Sequence, residues 1–188
     1  MQADPPLPPS RRQRAAARLP GLLLGLALAA PALATEPHPV VLGRLEMIEV
    51  RPGGRVLKSR IDTGAGLTSM DARKLRVTPP ANGVPERAAF RLRGQPKDTP
   101  DVSANVLEWV EIKGKGTKRT IRRPVIAMRL CIGERWIDAR VNLADRSGFL
   151  YPLLIGRNTL IAGGLVVDPG GLYLEPPRCA PQPAATRR

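Results

Sequence analysis

The stretch "KSRIDTGAGLTS", residues 58–69, sets one short acid, Asp62, between an apolar approach ending at Ile61 and the pair Thr63-Gly64. An Asp in this setting has an ordinary use. Its carboxylate accepts a backbone N–H two residues on, in an Asx-turn, and a glycine takes the positive φ that such a turn can need. The same acid can instead be reactive, provided that rigid loops bring a second polar group to it. The triplet alone does not choose between these uses, so the choice rests on its surroundings.

Upstream, "VVLGRLEMIEV" (40–50) and "RVLKSRI" (55–61) are rich in β-formers, with Leu45, Met47 and Glu49 marking the alternation and "RPGG" (51–54) reading as a turn. Residues 76–105 are Pro-rich with little periodicity, and read as a long surface excursion holding one strand at "AAFRLRG" (88–94). "LEWVEIKGKGTKRTIRRPVIAMRL" (107–130) alternates on both sides of Gly114-Lys115-Gly116, the pattern of a hairpin with a glycine-containing tip. "GERWIDARVNLA" (133–144) gives another strand, "DRSG" (145–148) a turn, and "YPLLIG" (151–156) a buried strand. "RNTLIAGG" (157–164) has room for two helical turns ended by glycine. "LVVDPGGLYLE" (165–175) reads as strand, turn and strand. The sum is an all-β domain with one short helix and no internal repeats.

The N-terminus has a different character. Arg11, Arg12, Arg14 and Arg18 precede the apolar run "LPGLLLGLALAAPALA", and Ala32-Leu33-Ala34 closes it with small residues at the spacing a signal peptidase reads. Residues 1–34 are expected to be a signal peptide cleaved after Ala34, residues 35–176 the domain, and residues 177–188 a disordered tail. A membrane-spanning helix needs about 20 apolar residues. This run is shorter and broken by Pro20 and Pro31, so no stable membrane insertion is expected once the leader is gone. The mature protein is expected to be periplasmic or secreted.

Charge and composition exclude several classes. The chain carries 30 Lys and Arg against 16 Asp and Glu, a net charge of +14. That balance suits anionic partners. The arginines are spread along the chain, however, and two each of Trp, Tyr and Phe, in no RNA-binding motif, give little on which to stack bases. Nucleic acid is not an expected partner. A catalytic zinc wants about three protein ligands. His38 is the one histidine and has no partner at ligand spacing, so no metal and no cofactor are expected. Cys131 and Cys179 are the two thiols. An oxidising compartment allows them to pair, but the Pro-rich setting of Cys179 leaves the pairing open.

Asp62-Thr63-Gly64-Ala65, the hairpin around residues 113–117, and Leu154-Ile155-Gly156-Arg157-Asn158 occur in that order. This set resembles the retropepsin-like aspartic peptidases over roughly residues 40–175. The resemblance implies an acid-protease barrel with a flap hairpin and one short helix. It implies Asp62 as the catalytic acid, Thr63 bonding to a partner loop, and Gly64 permitting close backbone approach. It puts Ala65 on the floor of the substrate site, with Gly114, Lys115 and Gly116 in the flap that encloses peptide, and Ile155, Gly156 and Arg157 bracing the acidic loop. "DTGAGLTSMDA" (62–72) and "NLADRSGFLYPLLIGRNTL" (142–160) are most similar to the bacterial branch often labelled "ATP-dependent zinc protease", linked in some members to glutamate-ligase systems. Asp71 stands where that branch usually has His, and reads here as a helix or turn cap. "GKGTK" (114–118) lacks the spacing of a nucleotide-binding loop, so neither half of the label is adopted.

Aspartic peptidases need two carboxylates sharing one proton around a water, because like charges about 3 Å apart cannot both ionise. This chain has one DTG. Asp168, in "VVDPGG", reads as a plain Pro-Gly turn, and Asp101 and Asp145 lie in loop-like contexts. The second acid is therefore expected from Asp62 of another copy, in a symmetric homodimer. The expected activity is that of an exported aspartic endopeptidase taking extended peptide as an added strand. Lys113, Lys115, Lys118 and Arg119 make the flap basic, either as a solvated charge run or as a feature that favours acidic peptides. Two other readings are a non-catalytic envelope protein of the same fold binding a peptide or protein partner, and a basic domain binding anionic polymer.

Overall fold

The computed structural model describes residues 39–113 and 120–181. The expected leader and the flap-tip residues Gly114, Lys115 and Gly116 lie outside the described residues. Four strands come first: β1 (Val40–Leu42), β2 (Leu45–Arg51), β3 (Arg55–Ile61) and β4 (Thr68–Asp71). Next are β5 (Arg73–Thr78), β6 (Arg87–Arg91), β7 (Val102–Lys113) and β8 (Thr120–Ile132). Then follow β9 (Arg135–Ala144), β10 (Leu153–Ile155), the helix α1 (Arg157–Ala162) and β11 (Leu165–Val167).

Alternation decides which faces turn inward. In β3, Leu57, Ser59 and Ile61 are buried while Val56, Lys58 and Arg60 are exposed. Such a period of two suits a sheet with one face on a core. The sheet order β2-β3-β10-β4-β9-β8 closes on itself through a β2–β8 pairing, giving a barrel of six strands. The closing seam is antiparallel, with Glu49, Val50 and Arg51 opposite Cys131, Leu130 and Arg129. Ile48, Val50, Met70, Met128, Leu130, Val141 and Leu153 fill the interior, each at most 2% exposed.

The placement of β10 matters most for the site. It lies between β3 and β4, parallel to β3 (Ile61 opposite Ile155) and antiparallel to β4 (Leu153 opposite Met70). The segment joining β3 to β4 therefore has to arch over the end of β10. Residues 62–67 form that arch.

The Pro-rich excursion is more regular than its composition suggests. β5, β6 and the start of β7 form an antiparallel extension of the sheet beyond β8. Ala88, Phe90, Leu92 and Val102 belong to the main core. The hairpin expected at 107–130 is longer, with β7 and β8 paired up to Lys113 opposite Thr120. Of the expected strand–turn–strand at 165–175, only β11 is a strand. It pairs in parallel with β1.

Residues 171–175 spend their backbone groups elsewhere. The Glu46 carboxylate, fully buried, accepts N–H bonds from Gly43 at 2.6 Å, Leu174 at 3.1 Å and Glu175 at 3.1 Å. Further on, Cys131 and Cys179 form a disulfide. The Arg178 N–H donates to the Gly133 carbonyl, and the Trp136 indole donates to the Ala180 carbonyl at 3.1 Å. A covalent link and hydrogen bonds thus tie this segment to the turn between β8 and β9.

Candidate active site

The arch over β10 carries Asp62 at its first position. The Asp62 N–H donates to the Ile155 carbonyl at 2.9 Å, extending the β3–β10 ladder by one residue. The Asp62 Oδ1 then accepts the N–H groups of Gly64 at 3.0 Å and Ala65 at 3.2 Å. The Asx-turn of the ordinary reading is therefore present. The Asx-turn uses one carboxylate oxygen, and Oδ2 has no donor among the described residues. Asp62 is half-buried, while Thr63 and Gly64 are exposed. The Thr63 hydroxyl also has no partner among the described residues, although its carbonyl is held from below.

That support comes from the segment after β10. Arg157 Nη1 donates to the carbonyls of Thr63 and Gly64, both at 3.0 Å. The opening N–H groups of a helix have no partner within it. In α1 they go to the arch instead: Arg157 N–H to the Ala65 carbonyl at 2.9 Å, and Asn158 N–H to the Gly66 carbonyl at 3.2 Å. A helix of six residues is too short to persist alone. Here it caps itself on the acidic loop and buries Thr159 and Leu160. Gly156 makes the approach possible, since a Cβ on it would lie 2.6 Å from the Leu67 carbonyl carbon.

Three residues that the sequence reading left without a role complete the brace. The Thr68 Oγ1 accepts the Gly156 N–H at 3.0 Å, donates to Asn158 Oδ1 at 3.1 Å and meets Thr159 Oγ1 at 2.7 Å. Asn158 Oδ1 also accepts the Thr68 N–H at 2.8 Å. Asn158 and Thr159 sit inside the "GRNTL" segment, but Thr68 carries no local sign of its part.

Asp71 is not a turn or helix cap. It ends β4, fully buried, as the centre of an ionic cluster. Its Oδ2 accepts from Arg73 Nε and Arg93 Nε, both at 2.8 Å, and its Oδ1 accepts the Arg146 N–H at 2.8 Å. Burial works against the charged form, but the Arg146 N–H and the two guanidiniums outweigh it, holding this carboxyl below the usual range. Arg93 reaches on to the carbonyls of Phe149 at 2.9 Å, Leu150 at 3.3 Å and Arg146. Loop 145–151, which feeds β10, is thus clamped by Asp71 and Arg93. Asp168 accepts the Gly170 N–H at 2.8 Å as a simple turn. No group of three His, Cys, Asp or Glu at metal-binding range occurs among the described residues.

Ile155, Gly156 and Arg157 therefore meet Asp62, Thr63, Gly64 and Ala65 in one constellation, at the end of β10. The expected flap residues Gly114, Lys115 and Gly116 fall outside the described residues, though β7 and β8 run toward them.

Comparison with known proteins bears on the family and the fold. The crystal structure of Lpg0085, a protein of unknown function (DUF785) from Legionella pneumophila, is similar at a TM-score of 0.59 and 26% identity, covering 73% of this chain and 98% of that one. No curated protein matches the chain. The RimB-like family, described as retropepsin-like aspartic endopeptidase RimB, matches residues 41–178. With its acid on an arch over a central strand of a closed barrel, the chain belongs to the RimB-like family of retropepsin-like aspartic endopeptidases.

Proposed function

We propose that the protein is an exported aspartic endopeptidase, active as a homodimer in which the Asp62 carboxylates of two copies share one proton around a water. The observation that carries this reading is the Asp62 carboxylate itself. Two backbone N–H groups hold Oδ1 in a loop braced by α1, and Oδ2 has no donor among the described residues. One copy supplies one such acid. The exposed Thr63 hydroxyl is suited to bond across a two-fold axis to the facing loop.

In the proposed reaction, the charged member of the pair takes a proton from the water as its oxygen attacks the peptide carbonyl carbon. The neutral member donates its proton toward the carbonyl oxygen, so the tetrahedral species is a diol and the pair still holds one proton. Collapse of the diol breaks the C–N bond as the leaving nitrogen takes a proton from the neutral acid and one diol hydroxyl gives its proton to the charged one, so the carboxyl product forms and the pair again holds one proton. Each acid thus alternates between base and acid. The peptide is taken in extended form as an added strand, and the basic run Lys113, Lys115, Lys118 and Arg119 in the sequence suits an acidic one. The leader and the Cys131–Cys179 disulfide both support an oxidising, periplasmic or secreted location.

Asp62→Asn is expected to abolish peptide cleavage without altering the circular dichroism spectrum or the sedimentation of the dimer. Mixing wild type and Asp62→Asn under subunit exchange separates the shared dyad from an independent acid. Activity should fall with the square of the wild-type fraction, and a linear fall refutes the dyad.

A further inference from the structure

The strap that follows β11, residues 171–180, is fastened at three points. The Glu46 carboxylate accepts the N–H groups of Leu174 and Glu175, the Cys131–Cys179 disulfide closes on the turn between β8 and β9, and the Trp136 indole donates to the Ala180 carbonyl. Tyr173 has φ 53°, a left-handed conformation that a bulky side chain rarely takes. Such a backbone persists only where its surroundings over-determine it. Leu172, Tyr173 and Leu174 are 42%, 39% and 43% exposed, so burial does little to hold the strap down. The fasteners do that.

A path of short backbone contacts joins the strap to the acid. The Gly171 carbonyl accepts the Arg44 N–H at 2.9 Å, and the Arg44 carbonyl accepts the Ile61 N–H at 3.0 Å. Asp62 is the next residue. Glu46 knots the same corner, because its Oε1 accepts the Gly43 N–H at 2.6 Å as well as that of Leu174. A Cβ on Gly43 would lie 2.6 Å from the Gly171 carbonyl carbon, so corner and strap meet backbone to backbone. Leu172 and Ile61 also line one cleft of about 230 Å³, with Arg44, Leu45, Arg60 and Tyr151. The start of the acidic loop is thus held from two sides, by β10 through the Asp62 N–H and by the strap through Arg44.

We propose that the strap is a redox-controlled positioning device for the acidic loop. Closed by the disulfide, it fixes the link from Arg44 to Ile61, with Glu46 as the positioning residue; reduced, it releases that link. The effect on cleavage rests on the peptidase reading of Asp62, and the link itself does not. The chemistry is exchange with a dithiol. Cys131 is buried and Cys179 half-buried, so a thiolate of the dithiol attacks the Cys179 Sγ. The S–S bond breaks, Cys131 leaves as a thiolate and takes a proton, and a mixed disulfide forms at Cys179. The second thiolate of the dithiol then attacks its own sulfur in that mixed disulfide, which oxidises the dithiol and frees the Cys179 thiolate to take a proton. Two electrons and two protons have passed from the dithiol to the protein.

The test follows amide hydrogen exchange and cleavage together on the oxidised protein, after reduction with dithiothreitol, and after reoxidation. The probe is an internally quenched peptide with Glu on both sides of the scissile bond. Reduction is expected to speed exchange at Arg44 and Ile61 about tenfold or more and to leave the β6–β7 ladder unchanged. It should lower kcat about tenfold with KM changed less than about threefold, since the acid moves and the peptide contacts stay. Reoxidation should restore both. Cys179→Ser should show the reduced values with and without dithiothreitol. Glu46→Gln keeps the disulfide and should still speed exchange at Arg44 and Ile61. Unchanged Ile61 exchange in both the reduced protein and Glu46→Gln overturns the link. Faster exchange with unchanged kcat overturns control of the acid. Outright unfolding on reduction, seen by circular dichroism, or activity that reoxidation fails to restore overturns the switch, and Glu46→Gln then judges the link alone. Should the oxidised protein leave the probe uncleaved, the peptidase reading fails instead, and Ile61 exchange still judges the strap.

Discussion

Gly156→Ala should be the most damaging single-methyl change near the site. Gly156 has φ −97° and ψ 175°, which any residue adopts, so the cost is steric and not conformational. The new Cβ would lie 2.6 Å from the Leu67 carbonyl carbon and 2.9 Å from both the Leu67 oxygen and the Thr68 nitrogen. These are backbone atoms and cannot rotate aside. Either the arch or the entry to α1 must move, and overpacking of this kind costs about 1–3 kcal/mol. The movement also loosens the buried bond from the Gly156 N–H to Thr68 Oγ1 and the Asn158 contacts beside it. Such bonds contribute about 1 kcal/mol each, for a total near 2–4 kcal/mol. Gly148→Ala is the matched control, because nothing lies within 4 Å of the added Cβ and its φ is not left-handed. It should be neutral or stabilise by up to about 1 kcal/mol. Urea unfolding followed by fluorescence of Trp109 and Trp136 measures both. Activity of Gly156→Ala should fall as well, since the arch carries Asp62. If the two variants differ by less than about 0.5 kcal/mol, the steric argument is wrong.

Three further outcomes follow from the buried devices. Reducing the Cys131–Cys179 disulfide, or replacing both residues with Ser, removes a closure across 48 residues. Chain entropy puts that loss at about 4 kcal/mol, read as a lower urea midpoint, and an unchanged midpoint refutes it. Glu46→Gln turns one acceptor into a donor that faces a backbone N–H. It should cost about 1.5–3 kcal/mol and speed trypsin cleavage after Arg178, whereas wild-type protease resistance would count against the clip. For Asp71, the folded-state carboxyl lies below its ordinary value near pH 4, so its contribution is complete above about pH 4 and is lost as pH falls through the lowered folded value. Urea midpoints should hold from pH 7 down to about pH 4 and then drop. Asp71→Asn should start lower at pH 7 and lose less below pH 4. An equal acid drop in both proteins refutes the assignment.

What the sequence made legible was local. Asp62-Thr63-Gly64 announces a turn, and "LLIGRN" announces a strand that ends where a side chain cannot fit. The barrel strands show themselves through alternation, as in Leu57, Ser59 and Ile61 of β3. The rest depends on distant partners. Nothing near Glu46 says that it is buried, because Leu174 and Glu175 supply two of its donors from the far end of the chain. Asp71 looks like a cap until Arg93 and Arg146 are in place. The Ala88, Phe90 and Leu92 face of the excursion is hidden by the prolines around it, though those side chains are in the main core. Cys179 became readable only once the segment around it was seen to lie along the β8–β9 turn.

The barrel's seam has a consequence for how the chain must be made. β2 cannot find β8 until residue 131 has emerged, and β3 lacks its inner neighbour until residue 155 has. Early synthesis therefore exposes apolar strands with unfilled edges, and the nascent polypeptide is slow to become compact and apt to stick to its neighbours. The late strands β8, β9 and β10 thus act as the latch of the barrel.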